Sequence, residues 1–367
     1  MKNIFYIFFL IGSWLTVMPL ASQEISNDSL DIKIGQMLLL GIGNRTEADT
    51  SDIILKSISR GHLGGILLYE KNISKKDSEA SLKKLIASYK KEAAIPLLVS
   101  IDEEGGIVNR LKPKYGFPVT KTAKYLGDVD AIDSTKHYSD LIAHNLYLLG
   151  INVNYAPVLD LHNAENPAIG KNKRSFSEDP ELIVKHAREV VKSHRYFGVK
   201  TVFKHFPGQG NANKDSHYDV TDVSNTWQEV ELYPYIKLMY EGNADAIMTA
   251  HIVNEKLDAE KIPATLSKRI LKDYLRDRLG YDGVIFSDDM QMRAISDHFG
   301  FETAIKMAIL AGVDILMFSN HIYSRDSRLI TAEELIAVIK KMIDKGEITK
   351  ERIDQSYKRI VKFKDSL

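Results

Sequence analysis

Eight short apolar runs separated by longer amphipathic stretches constrain the fold of this chain more than any other feature of its sequence. The runs are Met37–Ile42, Gly65–Tyr69, Leu97–Ile101, Val153–Ala156, Thr201–His205, Ala246–Ala250, Val284–Ser287 and Ile315–Phe318. Each is too short for a core helix, so each reads as a strand. Helical patterns lie between most of them: Ser51–Ser59, Asp77–Lys91, Ser134–Leu149, Pro180–Phe197, Gln228–Gly242, Lys268–Leu279 and Glu302–Ala311. Strands alternating with helices imply a parallel sheet. Eight such units in 367 residues fit a single-domain α/β fold, a (β/α)8 TIM-type barrel, better than an open doubly wound sheet.

The polar residues at the ends of these runs support the barrel independently. Asp102 follows the third run, Asp160 lies beyond the fourth, Lys204-His205 closes the fifth, and His251 follows the sixth. Asp288-Asp289 follow the seventh and Ser319-Asn320 the eighth. A barrel enzyme assembles its site from side chains at the C-terminal ends of its strands. For any one of these residues a helix N-cap is the competing role; six strands with the same ending favour a site.

The loop after the fifth run is the most reactive in composition. Lys204-His205-Phe206-Pro207-Gly208-Gln209-Gly210 is followed after four residues by Asp215-Ser216-His217. A carboxylate two residues before an imidazole can bond one ring nitrogen and leave the other free to move a proton. Asp215 would orient and His217 would act. Gly208 and Gly210 permit unusual backbone angles, so the segment from Pro207 to His217 is expected to swing. Phe206 and Pro207 are expected to shape the turn.

The chain has 49 basic and 49 acidic residues, so nothing global favours nucleic acid or an anionic membrane. It contains no cysteine, which excludes disulfides, thiol nucleophiles and Cys-ligated zinc. Lys2, the mostly apolar run Ile4–Pro19 and Ala21-Ser22-Gln23 have the design of a secretory signal peptide. Residues 1–22 are therefore expected to be removed near Ala21 or Ser22, an uncleaved anchor being the alternative. Residues 23–367 would form the exported barrel, periplasmic or secreted, monomeric and without stable membrane insertion.

The seventh run sits in Leu279-Gly280-Tyr281-Asp282-Gly283-Val284-Ile285-Phe286-Ser287-Asp288-Asp289-Met290. With the Lys204–Gly210 and Asp215–His217 elements, this resembles the family 3 glycoside hydrolases, and within them the β-N-acetylhexosaminidases of the NagZ type. The similarity runs over most of the chain. It includes Ile34-Gly35-Gln36-Met37, Ile101-Asp102-Glu103-Glu104-Gly105-Gly106, Asn154–Asp160, Arg174-Ser175-Phe176, Pro263–Ser267 and Ala311-Gly312-Val313-Asp314.

The resemblance implies retaining hydrolysis of a terminal N-acetylglucosamine from muropeptides or chitooligosaccharides, with no cofactor and no metal. Asp288 matches the nucleophile, His217 the acid/base and Asp215 its partner. Alternation along the strand points Asp289 away from the pocket, as a helix cap or support. Asp102 matches the carboxylate that accepts hydrogen bonds from sugar hydroxyls. Arg110, Arg174, Lys204 and His205 match residues lining the sugar subsite, the lesser alternatives being a surface residue for Arg110 and a loop–carboxylate clamp for Arg174. Many family members take an acid/base Glu from a second domain. The sequence here ends one helical tail, Ala332 to about Lys364, after the eighth run, so the loop is expected to supply the proton.

There are departures from the family pattern. Ile107 stands where an Arg is common, Gln209 where a second His is frequent, and Gln291 where a small residue is usual. They bear on substrate preference and the neighbouring subsite. The rival readings are a broad β-glucosidase-like enzyme, a phosphorylase using the same site, a metal-dependent barrel hydrolase built on His205, His251 and Asp288, and a sugar-binding barrel without chemistry.

Overall fold

The computed structural model of the protein describes residues 29–49, 51–215, 220–321, 329–365 and 367. The expected signal peptide and His217 both lie outside the described residues. The eight runs form eight parallel strands: β1 (Leu38–Gly41), β2 (Gly65–Leu68), β3 (Leu98–Ile101), β4 (Val153–Asn154), β5 (Lys200–Phe206), β6 (Ala246–Thr249), β7 (Val284–Asp289) and β8 (Ile315–Phe318). Each pairs with its neighbours in sequence, and Leu38 opposite Leu316 closes β1 onto β8. The expected (β/α)8 barrel is the observed fold.

The strand sequences do not alternate because both faces are covered. All four residues of β1, β2, β3, β6 and β8 are buried, by barrel interior on one side and helices on the other. Two strands run further than their apolar cores. β5 continues through Phe206 and β7 through Asp289, so Lys204 and His205 lie within their strand as expected, while Asp288 and Asp289 belong to β7 instead of following it. Their side chains are held by the ladder.

The outer helices are positioned by local signals. Helix Pro180–Tyr196 begins with Asp179, whose carboxylate accepts from the Glu181 N–H, and Pro180 occupies the first turn, where no N–H is needed. It buries Ile183, Val184, Val190 and Val191 against the barrel, each contributing roughly 1.5–3 kcal/mol. The expected helix Gln228–Gly242 is divided. A 3-10 turn Glu229–Leu232 precedes helix Tyr233–Tyr240, with Pro234 in the new first turn. The expected single tail is also two helices, Ala332–Asp344 and Lys350–Lys364, separated by a turn in which Gly346 adopts φ 71°. Both begin on a threonine cap, Thr331 and Thr349.

The end of the barrel away from the expected site is tied together by polar contacts. Lys364 is buried, and its ammonium donates to Gln36 Oε1 at 2.7 Å and the Gly64 carbonyl at 2.8 Å. Asp314 accepts from the Ile285 N–H and from Ser356 Oγ, and pairs with Arg276. These contacts join helices Leu30–Gln36 and Lys350–Lys364 to the N-terminal ends of the strands. No helix among the described residues is long and apolar enough to cross a membrane.

Candidate active site

At the C-terminal ends of the strands, charged side chains alternate in sign. Lys204, on β5, is 1% exposed, and its Nζ lies 2.8 Å from Asp102 Oδ1 and 2.6 Å from Glu104 Oε1. Arg174 grips the same Glu104 through two nitrogens, Nε at 2.9 Å and Nη2 at 2.8 Å. Arg110 Nη2 lies 3.3 Å from Asp102 Oδ2, and its guanidinium covers the Tyr69 ring at 5.5 Å. The order is Arg110, Asp102, Lys204, Glu104, Arg174, so every carboxylate has a cation on each side.

This pairing fixes the charges. Burial alone would raise the Asp102 and Glu104 carboxyls, but the Lys204 and Arg110 cations hold Asp102 well below the usual range. Arg174 and Lys204 likewise bring Glu104 down to about 2. Both stay ionised at any physiological pH. The set can therefore offer acceptors and donors to a polyol without changing its own protonation. Arg110 Nε is buried with no hydrogen-bond partner among the described residues, a donor left over for a ligand.

Arg174 thus acts as a clamp on Glu104, and it also reaches His205: Arg174 Nη2 lies 3.3 Å from His205 Nε2. His205 Nδ1 lies 2.7 Å from Asp160 Oδ2. A guanidinium only donates, so Nε2 is the acceptor and the ring proton sits on Nδ1, toward Asp160. Asp160 is wholly buried and also accepts from the Gln209 N–H at 2.9 Å.

The three consecutive acids after β3 have separate tasks. Asp102 and Glu104 both face Lys204, while Glu103 turns away and accepts the backbone N–H groups of Arg110 and Leu111 at 2.8 and 3.1 Å. Burial raises the Glu103 carboxyl to about 7. Asn154 on β4 completes the bend by accepting the Glu103 N–H and donating to its carbonyl. This is what carries Arg110 back over Asp102.

On β7, Asp288 is half-buried and Asp289 buried. Alternation separates them as expected. Asp289 Oδ1 accepts the N–H groups of Gln291 and Ser319, at 3.1 and 3.0 Å, and so joins the ends of β7 and β8. Burial raises its carboxyl to about 6. Asp288 Oδ1 accepts the Asp289 N–H at 2.7 Å. Burial and the charges of Asp102 and Asp288 push the Tyr155 hydroxyl up, so both carboxylates lie within electrostatic range of one ring. His251 Nε2 donates to the Asp289 carbonyl at 2.9 Å; that nitrogen serves the backbone and is not offered to a metal.

The loop after β5 is closely packed. Gly208 has φ 106°, and a Cβ there would lie 2.7 Å from Glu231 Cβ; one on Gly210 would lie 2.3 Å from the Leu161 carbonyl oxygen. Gly208 thus uses the unusual backbone angle expected of it, and both glycines allow close packing. Asn166 donates to the Gln209 and Gly210 carbonyls at 2.7 and 2.8 Å, and Trp227 Nε1 donates to the Pro207 carbonyl at 3.2 Å. These bonds hold the turn from Pro207 to Gly210 against its neighbours. Phe206 is buried edge-on against Tyr235, as a turn-shaping residue should be. Asp215 is half-buried at the edge of the described residues, and the position of its expected partner His217 is not described.

The structure thus brings Asp102, Arg110, Arg174, Lys204 and His205 into one bonded set, with Asp288 at the same face. Sequence reading missed Glu104, although it stands two residues from Asp102 beside the same strand end. It also left unassigned the Asp160–His205 pair and Glu231.

The glycosyl hydrolase family 3 N terminal domain model matches residues 29–363. Beta-hexosaminidase A of Pseudoalteromonas piscicida is 33% identical over 332 residues, covering 84% of this chain and 54% of its own. The beta-hexosaminidase of Tolumonas auensis is 33% identical over 262 residues, covering 71% and 76%. Among solved structures, a family 3 beta-N-acetylglucosaminidase from Paenibacillus sp. superposes with TM-score 0.83 at 34% identity, covering 92% of this chain and 62% of the other. A beta-N-acetylhexosaminidase from Beutenbergia cavernae gives TM-score 0.79 at 29% identity, covering 92% and 98%. The chain spans about half of the first of these relatives and most of the second and the last.

Proposed function

The chain belongs to glycosyl hydrolase family 3, and on that premise we propose that it is a retaining β-N-acetylhexosaminidase that releases terminal N-acetylglucosamine from an oligosaccharide. The observation that carries the reading is the fixed-charge set Arg110, Asp102, Lys204, Glu104 and Arg174 at the barrel face that also bears Asp288. It supplies paired acceptors and donors for sugar hydroxyls where an attacking carboxylate stands.

Asp288 forms the bond to the anomeric carbon as the glycosidic C–O bond breaks, and His217 gives its proton to the leaving oxygen. His217 then takes a proton from water. The water oxygen attacks the anomeric carbon and Asp288 is released. Asp215 holds the imidazole tautomer. Asp102, Arg110 and Lys204 hold the sugar hydroxyls, while Arg174 and His205 shape the subsite. Muropeptides or chitooligosaccharides are the proposed substrates, met outside the cytoplasm by an exported monomer.

Hydrolysis of 4-nitrophenyl N-acetyl-β-glucosaminide and of the matching glucoside tests the reading. The N-acetyl substrate should be cleaved far faster, because the glucoside lacks the acetamido contacts. Equal rates would favour a broad β-glucosidase. No cleavage of either would favour a barrel that binds sugar without chemistry.

A further inference from the structure

Glu231 is a buried carboxyl that the proposed reaction leaves without a task. It lies in the 3-10 turn between β5 and β6 and is 1% exposed. Its Oε2 accepts the Gly210 N–H at 2.8 Å and its Oε1 accepts from Asn211 Nδ2 at 3.0 Å. One residue earlier, the Gln209 N–H donates to Asp160, whose other oxygen bonds His205. Two buried acids from different loops thus hold successive amides of one turn.

That turn joins the subsite to the loop leading toward Asp215. Gly208 lies against the Glu231 side chain so closely that any Cβ would overlap it, so the carboxyl and the turn cannot shift independently. Displacing Glu231 would move Gln209 and pull its N–H from Asp160. Asp160 is the only partner recorded for His205 Nδ1 among the described residues.

We propose that Glu231 is a positioning residue for His205, acting through the Gly208–Asn211 turn and Asp160. The inference rests on the proposed reaction for its kinetic test. The ionised carboxylate has strong acceptors for both Gly210 and Asn211; once protonated, one oxygen carries a donor proton and accepts only weakly, so one of those two bonds is weakened. Burial and the Asp160 charge raise the Glu231 carboxyl to about 7, so the change falls within a range that assays reach. The charged and titratable groups facing it are Asp160 from the loop after β4 and Tyr235 from the following helix, whose buried hydroxyl is pushed up by burial, Asp160 and Glu231. His205 and Arg174 stand behind Asp160.

The test compares wild type, Glu231→Gln, His205→Ala and the double variant on 4-nitrophenyl N-acetyl-β-glucosaminide from pH 5 to 9. Glu231→Gln keeps the shape of the side chain and mimics its protonated form. KM should rise roughly tenfold at pH 8, the worth of about one well-placed hydrogen bond, with a smaller change in kcat and a flatter dependence of KM on pH. Adding Glu231→Gln to His205→Ala should have little further effect, because the two act as one unit. Hydrogen exchange across residues 207–212, read without substrate, should quicken in Glu231→Gln. Wild-type KM throughout with unchanged exchange, or fully additive variants, would overturn the proposal. A wild type that cleaves nothing would refute the proposed function alone, and the exchange measurement would then decide whether Glu231 anchors the turn.

Discussion

Lys204 Nζ lies 2.6 Å from Glu104 Oε1, and both side chains are almost removed from solvent. Removing the Lys204 ammonium leaves Glu104 with Arg174 alone and Asp102 with Arg110 alone, and breaking a buried pair costs up to about 3–5 kcal/mol. Lys204→Met should therefore lower unfolding stability by that order in urea titrations, besides weakening substrate binding. Glu104 titrates near 2 in the folded chain, below its ordinary value near 4.5. Its stabilising contribution is complete above 4.5 and disappears as pH falls toward 2. Acid unfolding of Glu104→Gln should lose that part of its slope.

Asp288 stands half-buried at the barrel mouth and away from the apolar core. Asp288→Asn should reduce turnover by several orders of magnitude while leaving the thermal midpoint nearly unchanged. In the wild type, a 2-fluoro sugar donor should leave an adduct that peptide mass spectrometry locates on Asp288. Near-normal turnover in the purified variant would reject the mechanism.

The proposed protonation of the leaving group by His217 predicts its own kinetic signature. His217→Ala should lose most activity on substrates with a poor leaving alcohol and much less of the glycosylation rate on an activated aryl substrate. Asp215→Asn should show a milder form of the same pattern, since the imidazole remains but its tautomer is no longer fixed. Equal losses across leaving groups would make His217 a binding residue.

Lys364 gives a stability change on the alkaline side. Burial brings its ammonium down to about 7 from 10.5, so folding favours the neutral amine. The unfolded chain binds the extra proton between those values, and stability should rise as pH climbs from 7 toward 10.5. Lys364→Met should remove that rise from the difference between unfolding free energies at pH 7 and 9.5. A rise of the same size in the variant would place its origin elsewhere.

The eight strands were legible because parallel barrel strands are buried on both faces and read as unbroken apolar runs. The seam of charges was only partly legible. Asp102, Lys204 and Asp288 are announced by their place at strand ends, whereas the role of Glu104 depends on Arg174, seventy positions away. Local pattern cannot register such a pairing. The glycines of the β5 loop were legible in part: sequence shows the conformational freedom that Gly208 uses but not Glu231 and the Leu161 backbone pressed against the pair. The Ala311–Asp314 motif belongs to the other end of the barrel, where Asp314 binds Arg276 and Ser356.

The contact between Lys364 and Gln36 also settles how the molecule can be mounted. Helices Leu30–Gln36 and Lys350–Lys364 meet on the side opposite Asp102 and Asp288. A tag or a bead joined beyond helix Lys350–Lys364 would therefore leave the mouth pointing outward.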